Sequence, residues 1–335
     1  MLSKLLKKKE MGIFLIIAGI TIIVSIVNIL FIRPDNILTM FVASIVLGIA
    51  AQGMMMIMIT GGIDVSIGAT IAMCYVTAGL VSKQFPENGL FITIVATCAV
   101  GVLCGLVNGT LVSKLKIPPI VVTLGTMSLY NGLVLLITNG KWIADLPPYI
   151  AMLGQQYLFK VPMEEGGFWG FPMVGFFWVG AIILTSFVMN RTLIGRGIYA
   201  IGGNMESASR IGYKTNRILM FVYAYTGFLA GLSAIVHTGI MRQVDPLAFR
   251  GFELKVIAAV VVGGTNVMGG YGSVFGTVLG VVFMAVINNA LVIMHIPTFY
   301  QKIVLGIVIV TAVSIDVIQH TIKTRNMVKV DVSEA

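Results

Sequence analysis

The chain has 335 residues, 58% of them hydrophobic and 10% charged, with a formal net charge of +9. A soluble domain carries about 25% charged and about 45–50% apolar residues, so this balance excludes an ordinary soluble domain. The apolar residues fall in blocks about 20 long, the length that crosses a hydrocarbon core, and the basic residues sit at block ends. There they set orientation and meet anionic headgroups, which is not a nucleic-acid signal. The chain reads as an all-α polytopic membrane protein of about ten transmembrane helices.

Lys4, Lys7, Lys8 and Lys9 precede a first span at 12–32. That run is too long for a signal peptide, and no small-residue cleavage site follows it. Arg33 to Asn36 reads as a short outer turn, and 37–60 as the second span. In GGIDVSIG (61–68), Gly61 and Gly62 break the helix, Asp64 and Ser66 are placed to cap the next one, and Gly68 closes the motif. The third span is 67–82 and the fourth 90–113, where Gly101, Gly105 and Gly109 bare one helix face for a close neighbour. Cys74, Cys98 and Cys104 lie in these runs without a CxxC pair and read as small core residues. Met54, Met55 and Met56 read as packing rather than a metal path.

Pro118 and Pro119 open the fifth span, 118–139, which carries Thr123, Thr126, Ser128 and Asn131. A long outer segment, 140–172, holds Trp142, Tyr149, Tyr157 and Trp169, aromatics suited to a membrane interface. The sixth span is 173–189 and the seventh 218–241. A second outer segment carries Arg242, Asp245, Arg250 and Glu253. The eighth span, 254–266, reads as short or broken because a glycine-rich run, 263–272, ends it. The ninth, 274–294, contains Asn288 and Asn289, and the tenth is 299–317. Ten spans put both termini on the inner side, where the segments carry about twice the basic residues of the outer ones.

The stretch at 190–217, between the sixth and seventh spans, is an inner loop rich in Lys and Arg. Its middle predicts a short helix with Asn204 as N-cap and Gly212 as the stop, carrying Glu206 and Arg210. A capped helix on the inner face reads as a surface offered to another protein; a solvated connector is the plainer alternative. The glycine cluster at 263–272 lacks the βαβ context of a dinucleotide site and has no GKS or GKT. His237, His295 and His320 are far apart and form no HExxH. No cofactor or metal site is expected, and no catalytic cluster converges.

Charge is nearly missing from the spans, whereas a proton-coupled carrier keeps an ionisable residue on its pathway. The neutral Thr126, Asn131, Asn288 and Asn289 are the candidate pathway groups, able to exchange hydrogen bonds with a polyhydroxylated solute. Interhelical bonding is the alternative use of such side chains. The chain therefore reads as a path without its own energy source, with the inner loop receiving force from an ATP-hydrolysing partner. An autonomous secondary carrier or channel is the competing reading, and a membrane-embedded enzyme ranks last.

GGIDVSIG (61–68), TLGT (123–126), GRGIYAIGGN (195–204), AAVVVGGTNVMGG (258–270) and the paired asparagines of the ninth span resemble the ribose-type permeases of ATP-binding-cassette importers. Within that family LKIPPIVVTLGT (115–126), GKWIADLP (140–147) and IDVSIGATIAMC (63–74) look most like autoinducer-2 import permeases, then rhamnose permeases. That pattern has Asn where Gly62 stands and Gly-Gly before Lys141, so the solute stays open among these sugar-like molecules. The resemblance implies a non-catalytic permease of the cytoplasmic membrane with broken helices around a central pathway. It implies a second permease chain, identical or a sister, a cytoplasmic ATPase that binds the ATP, and an extracytoplasmic solute-binding protein. Asn204, Glu206, Arg210 and Gly212 would contact the ATPase. Arg242, Asp245, Arg250 and Glu253 would dock the binding protein.

Overall fold

Long apolar runs with glycine or proline at their ends fold into helices, because in hydrocarbon a backbone has no partner but itself. The computed structural model describes residues 9–87, 89–162, 168–308, 310, 311 and 314. In chain order the helices are α1 (Lys9–Val27), α2 (Pro34–Ile59), α3 (Ile67–Gln84), α4 (Leu90–Ser113), α5 (Pro119–Thr138) and α6 (Pro148–Gln155). After a hairpin of β1 (Tyr157–Pro162) and β2 (Phe168–Pro172) come α7 (Gly175–Arg191), α8 (Leu193–Gly203), α9 (Met205–Arg210), α10 (Thr215–Met241), α11 (Phe252–Val262) and α12 (Val274–Ile293). A last apolar helix, α13, covers Thr298–Val308; most of the rest of the expected tenth span lies outside the described residues.

Among the described residues, six helices are long and apolar enough to cross a membrane: α1, α2, α4, α5, α10 and α12. The pair α7 and α8, bent by 73°, would make a seventh. The helix α11 has 11 residues and is too short to span. α2 and α10 form the centre. Met54, Met55 and Met56 are fully buried there, and α10 packs along α4, α2 and α3. The bared face of α4 meets α10: a Cβ on Gly101 would collide with the Gly227 carbonyl oxygen, and one on Gly105 with that of Tyr223. The helix α1, by contrast, lies largely exposed on the outside of the bundle.

Several boundaries differ from those read in the sequence. The first helix stops at Val27, because the Asn28 side chain accepts from the Leu30 amide and starts a separate 3-10 turn, Ile29–Ile32. The outer turn expected at Arg33–Asn36 is instead the first turn of α2, with Pro34 at a position where a missing N–H costs nothing. Ser66 does not cap α3 with its side chain. The 190–217 segment is not a loop: α8 and α9 occupy its middle, and Thr192 caps α8 by accepting from Gly195 N at 3.2 Å. The outer segment contains α6, packed on α10, as well as the hairpin.

Candidate functional site: the glycine junction and the coupling segment

Two breaks with the same local chemistry meet at one end of the bundle. At the first, α2 ends in Gly61 with φ of 82°, and Gly62 N returns to Ile57 O at 3.1 Å. Asp64 Oδ1 then accepts from Ser66 N at 2.8 Å and Ser66 Oγ at 2.6 Å. Asp64 is buried, so these donors offset part of its lost hydration. At the second, α11 ends in Gly263 and Gly264, the latter at φ of 88°, and Asn266 Oδ1 accepts from Met268 N at 2.9 Å. The order Gly-Gly-x-Asp/Asn thus recurs at Gly61 and at Gly263, each time just before the next helix turns back.

Gly270 N donates to Ile59 O at 2.9 Å, which joins the second break to the end of α2. Gly202 of α8 lies on the same spot. A Cβ there would collide with Ile59 O and with the Gly270 backbone, so only glycine lets three backbones meet. Tyr199 Oη, also on α8, donates to Gly272 O at 2.8 Å.

The helix expected at 204–212 forms as α9. Asn204 Oδ1 accepts from Ser207 N at 2.8 Å. Gly212, with φ of 96°, follows the helix, and Tyr213 N closes it onto Ala208 O at 3.1 Å. Glu206 and Arg210 pair at 2.6 Å on an open surface, a geometry worth about 0–1 kcal/mol. Ala208 is the buried residue of α9, while Met205 and Ile211 are exposed beside the charged pair. Arg191, Arg196, Lys214 and Arg217 are exposed around it. Between α9, the Gly61–Gly62 break, the turn joining α4 to α5 and the start of α10 lies a cavity of about 670 Å³.

The candidate pathway groups fall on two elements. Thr126 and Asn131 lie on α5, which packs on α3 and α4; Asn288 and Asn289 lie on α12, which packs on α1, α2 and α11. Among the described residues no hydrogen bond joins the two pairs. Thr126 donates to Val122 O at 3.1 Å and Asn288 to Met284 O at 2.8 Å, both within their own helices. Asn289 and Asn36 exchange amide hydrogen bonds at 2.9 Å, tying α12 to α2.

Of the candidate docking residues, Arg242 and Arg250 are exposed and Asp245 accepts from Leu247 N at 2.8 Å. Their segment is bridged to the other outer segment through Ile143 N to Val244 O at 3.0 Å and Val244 N to Ile143 O at 2.9 Å. Glu253 differs: it is half-buried, and its Oε2 would lie 2.7 Å from a Cβ on Gly68, so it is turned toward the start of α3. Residues that sequence reasoning did not single out as site residues hold the first break. Asn108 Nδ2 donates to Ser66 Oγ at 2.8 Å, and Thr123 Oγ1 accepts from Val65 N at 3.2 Å. The one signal for Asn108 was an amide inside an apolar run, beside Gly109.

A family model described as "Branched-chain amino acid transport system / permease component" matches residues 36–313. The chain belongs to this permease family. The ribose import permease RbsC of Bacillus subtilis (strain 168) is 36% identical to this permease over 310 residues, 92% of each chain. The autoinducer 2 import system permease LsrC of Salmonella choleraesuis (strain SC-B67) is 35% identical over 276 residues, 82% of this permease and 76% of that protein. The ribose import permease RbsC of Haemophilus influenzae is 34% identical over 314 residues, 92% and 93% of the two chains. No solved structure matches. The permease is thus a multi-pass membrane protein of the ribose and autoinducer-2 transport type, as its sequence motifs implied.

Proposed function

We propose that this permease is the membrane subunit of an ATP-binding-cassette importer and carries a small sugar-like solute of the ribose, rhamnose or autoinducer-2 kind across the cytoplasmic membrane. ATP binds to a partner subunit, and this chain performs no chemistry of its own. The observation that carries the reading is the junction at Gly202. The same short element, α8–α9, presents an exposed capped helix and touches both helix breaks through backbone. A force applied to α9 by an ATPase would reach Ile59 and Gly270 without passing through a flexible side chain.

In this reading Asn204, Glu206, Arg210 and Gly212 form the ATPase contact. The six expected spans before it place α9 on the same side as the N-terminus, the cytoplasmic side, where the basic residues gather. Closure of two ATPase subunits moves α8–α9, the breaks shift, and two permease chains re-pack around a path shared between them. Thr126, Asn131, Asn288 and Asn289 meet the solute in the re-packed state. Arg242, Asp245, Arg250 and Glu253, with the 140–172 segment, receive the binding protein; for Glu253 this requires the 242–254 segment to turn it outward. The solute class follows that of the ribose and autoinducer-2 permeases to which the chain is similar. The family description names branched-chain amino acids, so leucine is the comparison ligand in any uptake assay.

The test is co-purification of the permease with an ATPase from its own organism, followed by ATP hydrolysis and ribose uptake in reconstituted membranes. An ATPase that associates with the wild type and is lost from Arg210→Glu is the expected result. Uptake by this chain alone, driven by a proton or sodium gradient, would sink the reading in favour of an autonomous carrier.

A further inference from the structure

We propose that the cavity behind α9 is a binding site for a small neutral polyhydroxylated solute, separate from the translocation path, and that a molecule held there restrains α9. At about 670 Å³ the cavity is in the size range of small-molecule sites, about 300–1,000 Å³. Its rim offers hydroxyls and an amide from Thr60, Ser209 and Asn216. One cation, Lys116, and one anion, Glu206, stand on its walls. Glu206 is already paired with Arg210, so no cluster of one sign stands on the walls to hold an ion, and the remaining polar groups suit a neutral ligand. Ile117 and Leu219 give it an apolar surface of the kind that takes the C–H face of a sugar ring.

Tyr223 points to an occupant. It lines the cavity, is 1% exposed, and its hydroxyl has no hydrogen-bond partner among the described residues. The hydroxyl faces the first break: a Cβ on Gly62 would stand 3.3 Å from it. Buried hydroxyls are nearly always paired, and a ligand hydroxyl pressed in beside Gly62 supplies the partner that the described residues do not. Occupancy also has a mechanical result. α9 forms one wall through Ser209 and Glu206, yet it is held to the fold chiefly by Ala208. A solute bridging Ser209 and Tyr223 ties α9 to α10 and opposes its movement. Solute accumulating on that face would then slow the cycle. This restraint rests on the reading of α9 as the ATPase contact; the binding does not.

The experiment uses the full chain in nanodiscs, without partner subunits, with labelled ribose, rhamnose and glycerol as probes. Saturable binding to the wild type is expected, weakened about tenfold in Tyr223→Phe and lost in Ser209→Leu, which fills the cavity. The melting temperature of Tyr223→Phe should not fall, because no protein hydrogen bond is removed; a purely structural tyrosine would lower it. Equal binding by wild type and both variants, or no saturable binding of any probe, overturns the site. In the complex with its ATPase, ribose on the α9 face should slow ATP hydrolysis, and Tyr223→Phe should remove the slowing. Unchanged hydrolysis overturns the restraint. Failure of any ATPase to associate overturns the ATP-driven importer reading and the restraint with it, while the site stands or falls on the nanodisc result.

Discussion

Residues 61–66 and residues 263–272 both interrupt an apolar helix with a Gly-Gly pair and an Asx turn, but different groups hold them. The first break is pinned by side chains of two other spans, Asn108 on α4 and Thr123 on α5. The second is held by backbone, through Gly270 N to Ile59 O, and by Tyr199 reaching Gly272 O. Side-chain pins buried in a bundle fix a position, because breaking them leaves polar groups unpaired. Backbone contacts among glycines tolerate sliding, with only the Tyr199 side chain to follow. In the proposed cycle the first break is therefore the stiffer post and the second the freer mover, although Gly202 of α8 touches both.

The largest effect is expected from Gly202→Val. Its side chain has to displace Ile59 and Gly270, and overpacking of this kind costs about 1–3 kcal/mol or more. A lower melting temperature and loss of solute-dependent ATP hydrolysis are expected, whereas Gly203→Ala, with open space at its Cβ, should change neither. Asn108→Leu strips the pin from the first break and leaves the Ser66 hydroxyl oxygen with one donor fewer. It should cost about 1–3 kcal/mol in thermal unfolding. The matching change at the second break, Asn266→Ala, removes one local acceptor and should cost only about 0.5–1.5 kcal/mol. Equal losses at the two would erase the distinction between post and mover.

Tyr199→Phe sharpens the comparison from the moving side. It loses a single bond to Gly272, about 0.5–1.5 kcal/mol, and should reduce transport more than stability. Uptake and melting temperature measured on one preparation separate the two. Arg210→Glu should have the smallest effect on stability, within about 1 kcal/mol, because its ion pair with Glu206 is on the open surface. Its consequence should appear in ATPase association alone.

The features legible in the sequence are local ones. The α9 caps follow from residues within one turn of each other, so Asn204 and Gly212 mark the helix. The glycines of α4 mark a close approach because their interval of four bares one face. The glycine interruptions of α2 and α11 are readable for the same reason. The side chains that hold those interruptions are not. Asn108 is 42 residues from Ser66, and Thr123 is 58 from Val65. Asn289, read as a pathway group, shares its amide with Asn36, 253 residues away.

Composition and periodicity alone determined that this chain lives in a membrane, because no soluble core needs such lengths of uncharged residues, and its motifs determined the family. They also determined where helices must break, since Gly-Gly pairs leave the helix wherever they fall. Only the tertiary structure decided that two distant breaks share one point with Gly202, that Glu253 turns toward α3, and that the hydroxyl of Tyr223 is left without a partner among the described residues. Those facts depend on which backbones come within van der Waals contact. A linear pattern records the room left for such contacts in its glycines, but not the identity of the neighbour that fills it.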